Sequence, residues 1–352
     1  MKKVLMKGNE AIAQAAIAAG CEAFFGYPIT PQNELIEYMS KYLAKNEGVF
    51  VQAESEIAAI NMVYGAAGAG ARVMTSSSSP GIALKQEGIS YCAGAELPCL
   101  IVSISRGGPG LGGILPAQGD YNQATRGGGN GDYKVIVLAP NGVQEATEMV
   151  RKGFELAEKY RNPVMVMADG VIGQMMEPVM IDETPLPKIE KSWAATGQSR
   201  TRGSRNVINS LYLKPSQLEQ HNFDLRDKYD VIEENEVMVE MFNMEDAEIA
   251  IVAYGTPSRI VKSAIEQLRE EGVKVGLIRP KTLYPFPHKQ IHEAAKNLKF
   301  LLSAELSMGQ MVVDVKLAVN GLAPVHFYGR AGGMIFEPKE IIDAVRKHMG
   351  GE

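Results

Sequence analysis

Glu56 opens a helix of small residues, Glu-Ile-Ala-Ala-Ile-Asn-Met-Val-Tyr-Gly, one strand after the turn Gly-Tyr-Pro-Ile-Thr-Pro at residues 26–31. A carboxylate at a helix start beside an apolar strand end can sit desolvated against a cofactor ring, where burial favours the protonated form and the sharing of a proton. The same residue would equally complement the helix dipole from the surface. Arg106 ends a strand whose residues 100–104 are almost wholly apolar. A planar cation leaving a sheet at its carboxyl end can grip a carboxylate with two parallel hydrogen bonds, or make an ordinary surface ion pair.

Other patterns are weaker. Gly108-Pro-Gly-Leu-Gly-Gly113 matches the dinucleotide-binding spacing letter by letter, but Ile114-Leu-Pro-Ala-Gln-Gly-Asp120 follows it where a helix should start,. With Gly127-Gly-Gly-Asn-Gly131 it reads as a long mobile loop closing over a site or a partner. His288 and His292 stand four apart without a patterned third ligand, so a helix surface is expected rather than a metal site. Ser76 to Ser79 lie outside any Gly-x-Ser-x-Gly elbow, and helix capping is their expected role.

These side chains need a frame, and the apolar periodicity supplies one. From Lys3 to about Ile181, strands expected at 22–25, 49–52, 72–76, 100–105, 135–139 and 164–168 alternate with amphipathic or Ala-rich helices. That is the pattern of a parallel sheet covered on both faces. Pro31 and the pair Ser79-Pro80 mark helix starts directly after strands, and open α/β sheets bind ligands at such ends. Residues 182–246 break the rhythm with Pro185, Pro187, the basic run Arg200-Thr-Arg-Gly-Ser-Arg205 and an acidic stretch, and read as a linker with a charged helix near its end. The basic run is expected to be a solvated crossover or subunit contact, with a polyanion contact as the alternative. A second α/β unit is expected over 247–352, with strands at 249–254, 273–279, 300–304 and 325–328 and a final helix at 338–348.

The chain of 352 residues is long enough for two ordinary domains,. A net charge of -5 argues against nucleic-acid binding,. The first ten residues lack a signal peptide's long apolar stretch and no long apolar segment is free of charges, so a soluble, cytoplasmic protein with no membrane contact is expected. Cys21, Cys92 and Cys99 are too few and too dispersed for a disulfide framework or a four-thiolate iron–sulfur site,. Any cluster the protein works with is expected on another chain.

Four stretches taken in order resemble one family. Tyr27-Pro-Ile-Thr-Pro31, Glu54-Ser-Glu-Ile-Ala-Ala59, Leu97-Pro98 followed eight residues later by Arg106, and Arg279-Pro-Lys-Thr-Leu-Tyr-Pro285 look like the 2-oxoacid:ferredoxin oxidoreductases. More narrowly, they resemble the alpha subunit of the multisubunit 2-oxoisovalerate and 2-oxoglutarate types. The resemblance covers essentially the whole chain. It implies an α/β fold of two parallel-sheet domains: a pyrimidine-binding thiamine diphosphate domain at 1–181, the linker at 182–246, and a transketolase C-terminal-like domain at 247–352.

By the same likeness, Glu56 would hydrogen-bond the ring nitrogen of the cofactor's aminopyrimidine and so help deprotonate the thiazolium carbon, with Glu54 as its competitor two residues away. Pro28 and Ile29 would lie at the cofactor, Thr30 would donate a hydrogen bond at the substrate, and Arg106 would meet the substrate carboxylate. No Gly-Asp-Gly followed by Asn, the family's magnesium-diphosphate pattern, is evident, so no metal is expected here. The resemblance therefore implies a beta subunit holding the diphosphate, Mg2+ and a [4Fe-4S] cluster, a gamma subunit and often a delta subunit, with CoA accepting the acyl group and ferredoxin the electrons. The expected reaction converts a 2-oxoacid and CoA to acyl-CoA, CO2 and reduced ferredoxin. Ile114 and Leu115 favour a branched-chain substrate, 3-methyl-2-oxobutanoate, over 2-oxoglutarate. A non-redox thiamine-dependent transferase and a non-catalytic scaffold are the alternatives of other classes.

Overall fold

The computed structural model describes residues 3–197, 201 and 203–350. In chain order the first half runs β1 (Val4–Lys7), α1 (Gly8–Ala18), β2 (Ala23–Gly26), α2 (Asn33–Tyr42), β3 (Val49–Gln52), α3 (Glu56–Gly68), β4 (Val73–Ser77), α4 (Ser79–Gly94), β5 (Cys99–Ser105), α5 (Tyr121–Thr125), β6 (Ile136–Leu138), α6 (Val143–Tyr160), β7 (Pro163–Asp169), α7 (Gly170–Gln174) and β8 (Met176–Val179). The second half runs α8 (Pro215–Asn235), β9 (Val239–Phe242), β10 (Ile249–Val252), α9 (Gly255–Glu270), β11 (Val275–Pro280), β12 (Thr282–Tyr284), α10 (His288–Ala295), β13 (Phe300–Glu305), α11 (Met311–Val319), β14 (Val325–Gly329) and α12 (Pro338–Met349).

Two large sheets organise the chain. The first has seven strands in the order β12-β6-β7-β5-β4-β2-β3, and all but β12 pair in parallel. Its centre, β5, reads Cys-Leu-Ile-Val-Ser-Ile-Ser and is buried along its whole length, as a strand covered by helices on both faces must be,. The second has five strands in the order β14-β13-β10-β11-β9, with β9 antiparallel. Among the described residues no helix is long and apolar enough to cross a membrane.

Three pairings differ from a plain reading of the periodicity. β1 and β8 form a separate antiparallel pair. β9, from the expected linker, becomes an edge of the second sheet, and β12, from the expected second unit, becomes an edge of the first. Each is only three or four residues long, too short to announce a period. The segment before β9 carries α8, whose Leu225, Tyr229 and Ile232 are buried in the first core. Those positions recur at i, i+4 and i+7 and make one apolar stripe on an otherwise charged helix. Of the basic run expected at 200–205, Arg200 and Arg202 lie outside the described residues.

The family-like stretch at 279–285 joins the halves. Arg279 is buried, forks onto both oxygens of Glu145 at 2.8 Å, and also meets Glu240 at 2.6 Å. Burial alone would raise the Glu145 carboxyl, but the Arg279 hydrogen bonds and charge, with help from Lys281, outweigh it and hold the group at about 2,. A bidentate, partly buried pair of this kind fixes orientation as well as distance.

Candidate active site

Glu56 and Glu54 separate cleanly. Ser55 caps α3 by accepting from the Ala58 amide at 3.1 Å, which turns the chain so that Glu56 faces inward and Glu54 outward,. Glu56 is 7% exposed, yet its carboxylate accepts no hydrogen bond and makes no ion pair among the described residues. It lies against Gly81 of α4. A Cβ built there would stand 2.7 Å from Glu56 Oε1 and 2.1 Å from Ser77 Oγ, so only glycine leaves the carboxylate its space. Gly88, further along α4, meets Ile60 of α3 as closely, and the two helices pack side by side.

One turn beyond Gly81 on α4 lies an amine that the motif pattern did not reveal. Lys85 is wholly buried and donates to Thr75 Oγ1 at 2.6 Å and to the Ser76 carbonyl at 3.1 Å. Thr75 in turn donates to the Phe25 carbonyl at 2.6 Å, while Ser76 Oγ donates to Gln32 Oε1 at 2.6 Å. Gln32 Nε2 reaches the Tyr27 carbonyl at 3.4 Å. The network thus underlies both ends of the turn at 26–31. Burial pulls the Lys85 amine down to about 7, with the Glu56 carboxylate opposing the fall,.

The turn itself is held from the other side. Asn9 and Gln174 both donate to the Pro31 carbonyl, at 2.7 and 3.0 Å. Tyr27 and Pro28 are exposed, Ile29 and Thr30 half-buried. Asn33 approaches the Thr30 hydroxyl at 3.4 Å as donor, leaving the hydroxyl proton uncommitted among the described residues.

Arg106 is buried at the end of β5. Its Nη1 donates to the Thr30 carbonyl at 2.9 Å and its Nη2 to the Leu111 carbonyl at 3.1 Å, while the buried Nε donates to nothing among the described residues. Its own amide donates to Ser79 Oγ, which donates to Asp120 at 2.5 Å. Burial raises the Asp120 carboxyl, against the hydrogen bond from Ser79. Ser79 therefore does more than begin α4: it ties the helix start to the strand end and to the loop.

The glycine-rich loop at 107–120 contains no helix, as its Pro and Gly content requires, and it leans on the second half of the chain. Gln118 exchanges hydrogen bonds with Leu306 and donates to the Tyr254 carbonyl at 3.0 Å. Leu115 packs where Gly333 lacks a side chain. Leu111, Ile114 and Leu115 stay exposed above Arg106. Of the two candidate histidines, His288 meets Phe286 edge-on and His292 contacts the Ala318 carbonyl at 3.1 Å.

Thr30, Glu56 and Arg106 thus follow the carboxyl ends of β2, β3 and β5 on one edge of the first sheet, with Arg106 bound to the Thr30 carbonyl and Gly81, Ser79 and Gln32 packed around them. Two family models match the chain: "Pyruvate flavodoxin/ferredoxin oxidoreductase, thiamine diP-bdg" over residues 14–243 and "Pyruvate:ferredoxin oxidoreductase core domain II" over 247–341. The chain is 50% identical over 351 residues to the ketoisovalerate oxidoreductase subunit VorB of Methanothermobacter marburgensis, covering 99% of each. It is 36% identical over 370 residues to the 2-oxoglutarate synthase subunit KorA of the same organism, covering 98% of each. Among solved structures, the 2-oxoglutarate:ferredoxin oxidoreductase from Magnetococcus marinus, with 2-oxoglutarate, coenzyme A and succinyl-CoA bound, superposes with a TM-score of 0.88 at 28% identity. That match covers 99% of this chain and 65% of the other. A split-gene transketolase shares the fold alone, at a TM-score of 0.58 and 12% identity. The chain belongs to the 2-oxoacid:ferredoxin oxidoreductase family, as one subunit of a thiamine diphosphate-dependent enzyme.

Proposed function

We propose that this chain is the alpha subunit of a cytoplasmic enzyme that converts 3-methyl-2-oxobutanoate and CoA to the branched acyl-CoA, CO2 and reduced ferredoxin. The observation that carries the reading is Glu56: a buried carboxylate with no hydrogen-bond or ion-pair partner among the described residues, beside a glycine that keeps the space in front of it clear. Such a group fits the ring nitrogen of an aminopyrimidine. When bound, thiamine diphosphate supplies a thiazolium carbon acid and an electron sink for decarboxylation. Glu56 holds the proton shared with the ring nitrogen, and general acid–base help of this kind is worth about 10² to 10⁴ in rate.

Arg106 orients the 2-oxoacid by its carboxylate through the donors that the Thr30 and Leu111 carbonyls do not use. Thr30 directs its hydroxyl at the substrate, and Pro28 and Ile29 line the cofactor. Leu111, Ile114 and Leu115 give the loop an apolar surface suited to a branched side chain. The alternative, 2-oxoglutarate, needs a second cation for its distal carboxylate, and residues 107–115 contain none. Residues 1–181 form the pyrimidine-binding unit and 247–352 the transketolase C-terminal-like unit, with 182–246 crossing between them. A beta subunit holds the diphosphate, Mg2+ and a [4Fe-4S] cluster, a gamma subunit and often a small ferredoxin-like delta subunit complete the complex, and ferredoxin takes the electrons.

The test is the rate of acceptor reduction by the co-expressed complex with 3-methyl-2-oxobutanoate, 2-oxoglutarate and pyruvate. The branched acid should give the highest kcat/KM. A preference for 2-oxoglutarate would overturn the substrate assignment, and a complex free of iron would overturn the redox reaction.

A further inference from the structure

Residues 206–213, Asn-Val-Ile-Asn-Ser-Leu-Tyr-Leu, hold no charge between Arg205 and Lys214. Their burial alternates residue by residue, as an extended chain with two unlike sides requires,. Ile208, Ser210 and Tyr212 are on the inner side. Ile208 lies 3.5 Å from the place a Gly68 Cβ would take, and Ser210 3.3 Å from that of Gly94. Tyr212 stacks on His221, whose Nε2 stands 2.7 Å from the Gly94 carbonyl. Gly68 and Gly94 are the last residues of α3 and α4, so the segment lies across the ends of both helices.

The outer side is apolar and uncovered. Val207, Leu211 and Leu213 are 69%, 71% and 85% exposed. Among the described residues, the backbone of 206–213 makes no hydrogen bond to another backbone group. Single exposed apolar residues are ordinary, but three on one side of an uncharged, unpaired extended segment mark an interaction site. The helices beneath it carry exposed stripes of the same character. Ile57, Asn61 and Gly65 share one face of α3, and Leu84, Glu87 and Tyr91 one face of α4, with Glu87 the one charge among the six,. Both helices start at the candidate active site, with Glu56 and Ser79, and both end under the segment.

We propose that residues 206–213 form an arm that clasps the subunit holding the diphosphate of the cofactor, with Val207, Leu211 and Leu213 docked on an apolar surface of that partner. The inference rests on the reading given above, in which this chain supplies only half of the cofactor site. A partner that delivers the cofactor ring to Glu56 sits over the starts of α3 and α4. The small and apolar residues exposed along both helices let it continue to their far ends. α3 has 13 residues and is about 20 Å long,. An interface of standard size, about 800 Å² on each side, is wide enough to span that length and reach the arm.

The test uses the co-expressed complex with p-benzoylphenylalanine replacing Leu213. After irradiation, the crosslinked chain is identified by mass spectrometry. It should be the subunit whose sequence carries Gly-Asp-Gly followed by Asn. A crosslink to another subunit or to a second copy of this chain overturns the proposal, as does the absence of any crosslink. In a second measurement, dilution of the complex is followed by mass photometry. Leu211→Asp combined with Leu213→Asp should raise the Kd of that subunit by about a hundredfold, because two charges would enter a desolvated contact. Leu317→Asp, an equally exposed site on α11 against the second sheet, should leave that Kd unchanged. A wild-type Kd in the double variant, or an equal loss in Leu317→Asp, overturns the arm. So does a lowered Tm of the isolated double variant, which would make these leucines part of the chain's own fold. Thiamine diphosphate binding to the wild-type complex, measured by calorimetry, checks the earlier reading separately: its absence removes the shared cofactor site, whatever the crosslink shows.

Discussion

Arg106 Nη1 donates to the carbonyl oxygen of Thr30 at 2.9 Å, so a strand end and the turn two strands away are fastened together before any substrate arrives. The Leu111 carbonyl takes a second donor of the same guanidinium. One side chain therefore sets the distance between turn, strand and loop, and presents its remaining donors at a fixed angle.

Arg106→Lys should lower kcat/KM for the 2-oxoacid tenfold to over a hundredfold. Loss of one charge-assisted hydrogen bond is worth roughly 1.5 to 3 kcal/mol, and an ammonium cannot bridge two carbonyls and still fork onto a carboxylate. C2-proton exchange in the absence of substrate should stay near wild type. Equal damage to exchange and to kcat/KM would mean that Arg106 organises the cofactor and not the substrate.

Glu56→Gln and Glu54→Gln should differ sharply, since one carboxyl is buried and the other exposed. Turnover of the assembled enzyme should fall by about 10² to 10⁴ in the first and stay within a few-fold of wild type in the second. Steady-state rates alongside Tm separate chemistry from folding. A larger loss in Glu54→Gln would transfer the proton-sharing role to Glu54.

Gly81→Ala tests the space kept for the carboxylate. The new methyl would collide with Glu56 Oε1 and Ser77 Oγ, both side-chain atoms able to swing aside, so the stability cost should stay near the low end of roughly 1–3 kcal/mol for overpacking,. The displaced carboxylate should slow C2-proton exchange far more than the small fall in Tm suggests. Wild-type exchange in this variant would show that Glu56 works from another position.

Acidification should weaken the joint between the two sheets. Glu145 is held at about 2 in the folded protein, below its ordinary 4.5, so its contribution is complete above pH 4.5 and disappears as pH falls towards 2,. That shift corresponds to about 3 kcal/mol. Thermal melts of the wild type and Glu145→Gln should differ most above pH 5 and converge below pH 3. Parallel melting curves across the range would deny Glu145 this role.

The long apolar strands were legible from sequence because burial on both faces leaves a continuous run, as in β5, and the ends of those strands told where a ligand would sit. Glu56 could be preferred over Glu54 because it matches the family's glutamate and Glu54 falls on the other side of the turn. Lys85 was not legible. A lysine inside a helical pattern reads as a solvated charge, and α4 has no polar face to contradict that, with Ile82 and Ile89 buried but Leu84 half exposed. The available signal was the pair Gly81 and Gly88 flanking it, which marks the face of α4 pressed closely on a neighbour. β9 and β12 escaped because a strand of three or four residues is defined by its distant partner and not by its own alternation. Arg279 read as part of a family-like stretch, but its fork onto Glu145 depends on a helix that lies far away in the chain.

The placement of β12 also has a consequence for biosynthesis. Until Thr282–Tyr284 leaves the ribosome, β6 is the outer strand of the first sheet, with Ile136, Val137 and Leu138 along an unpaired edge. Open apolar edges recruit other strands, and nascent chains are most exposed to that hazard. The outer edge of the first sheet is therefore closed by a segment synthesised long after the strand that it covers.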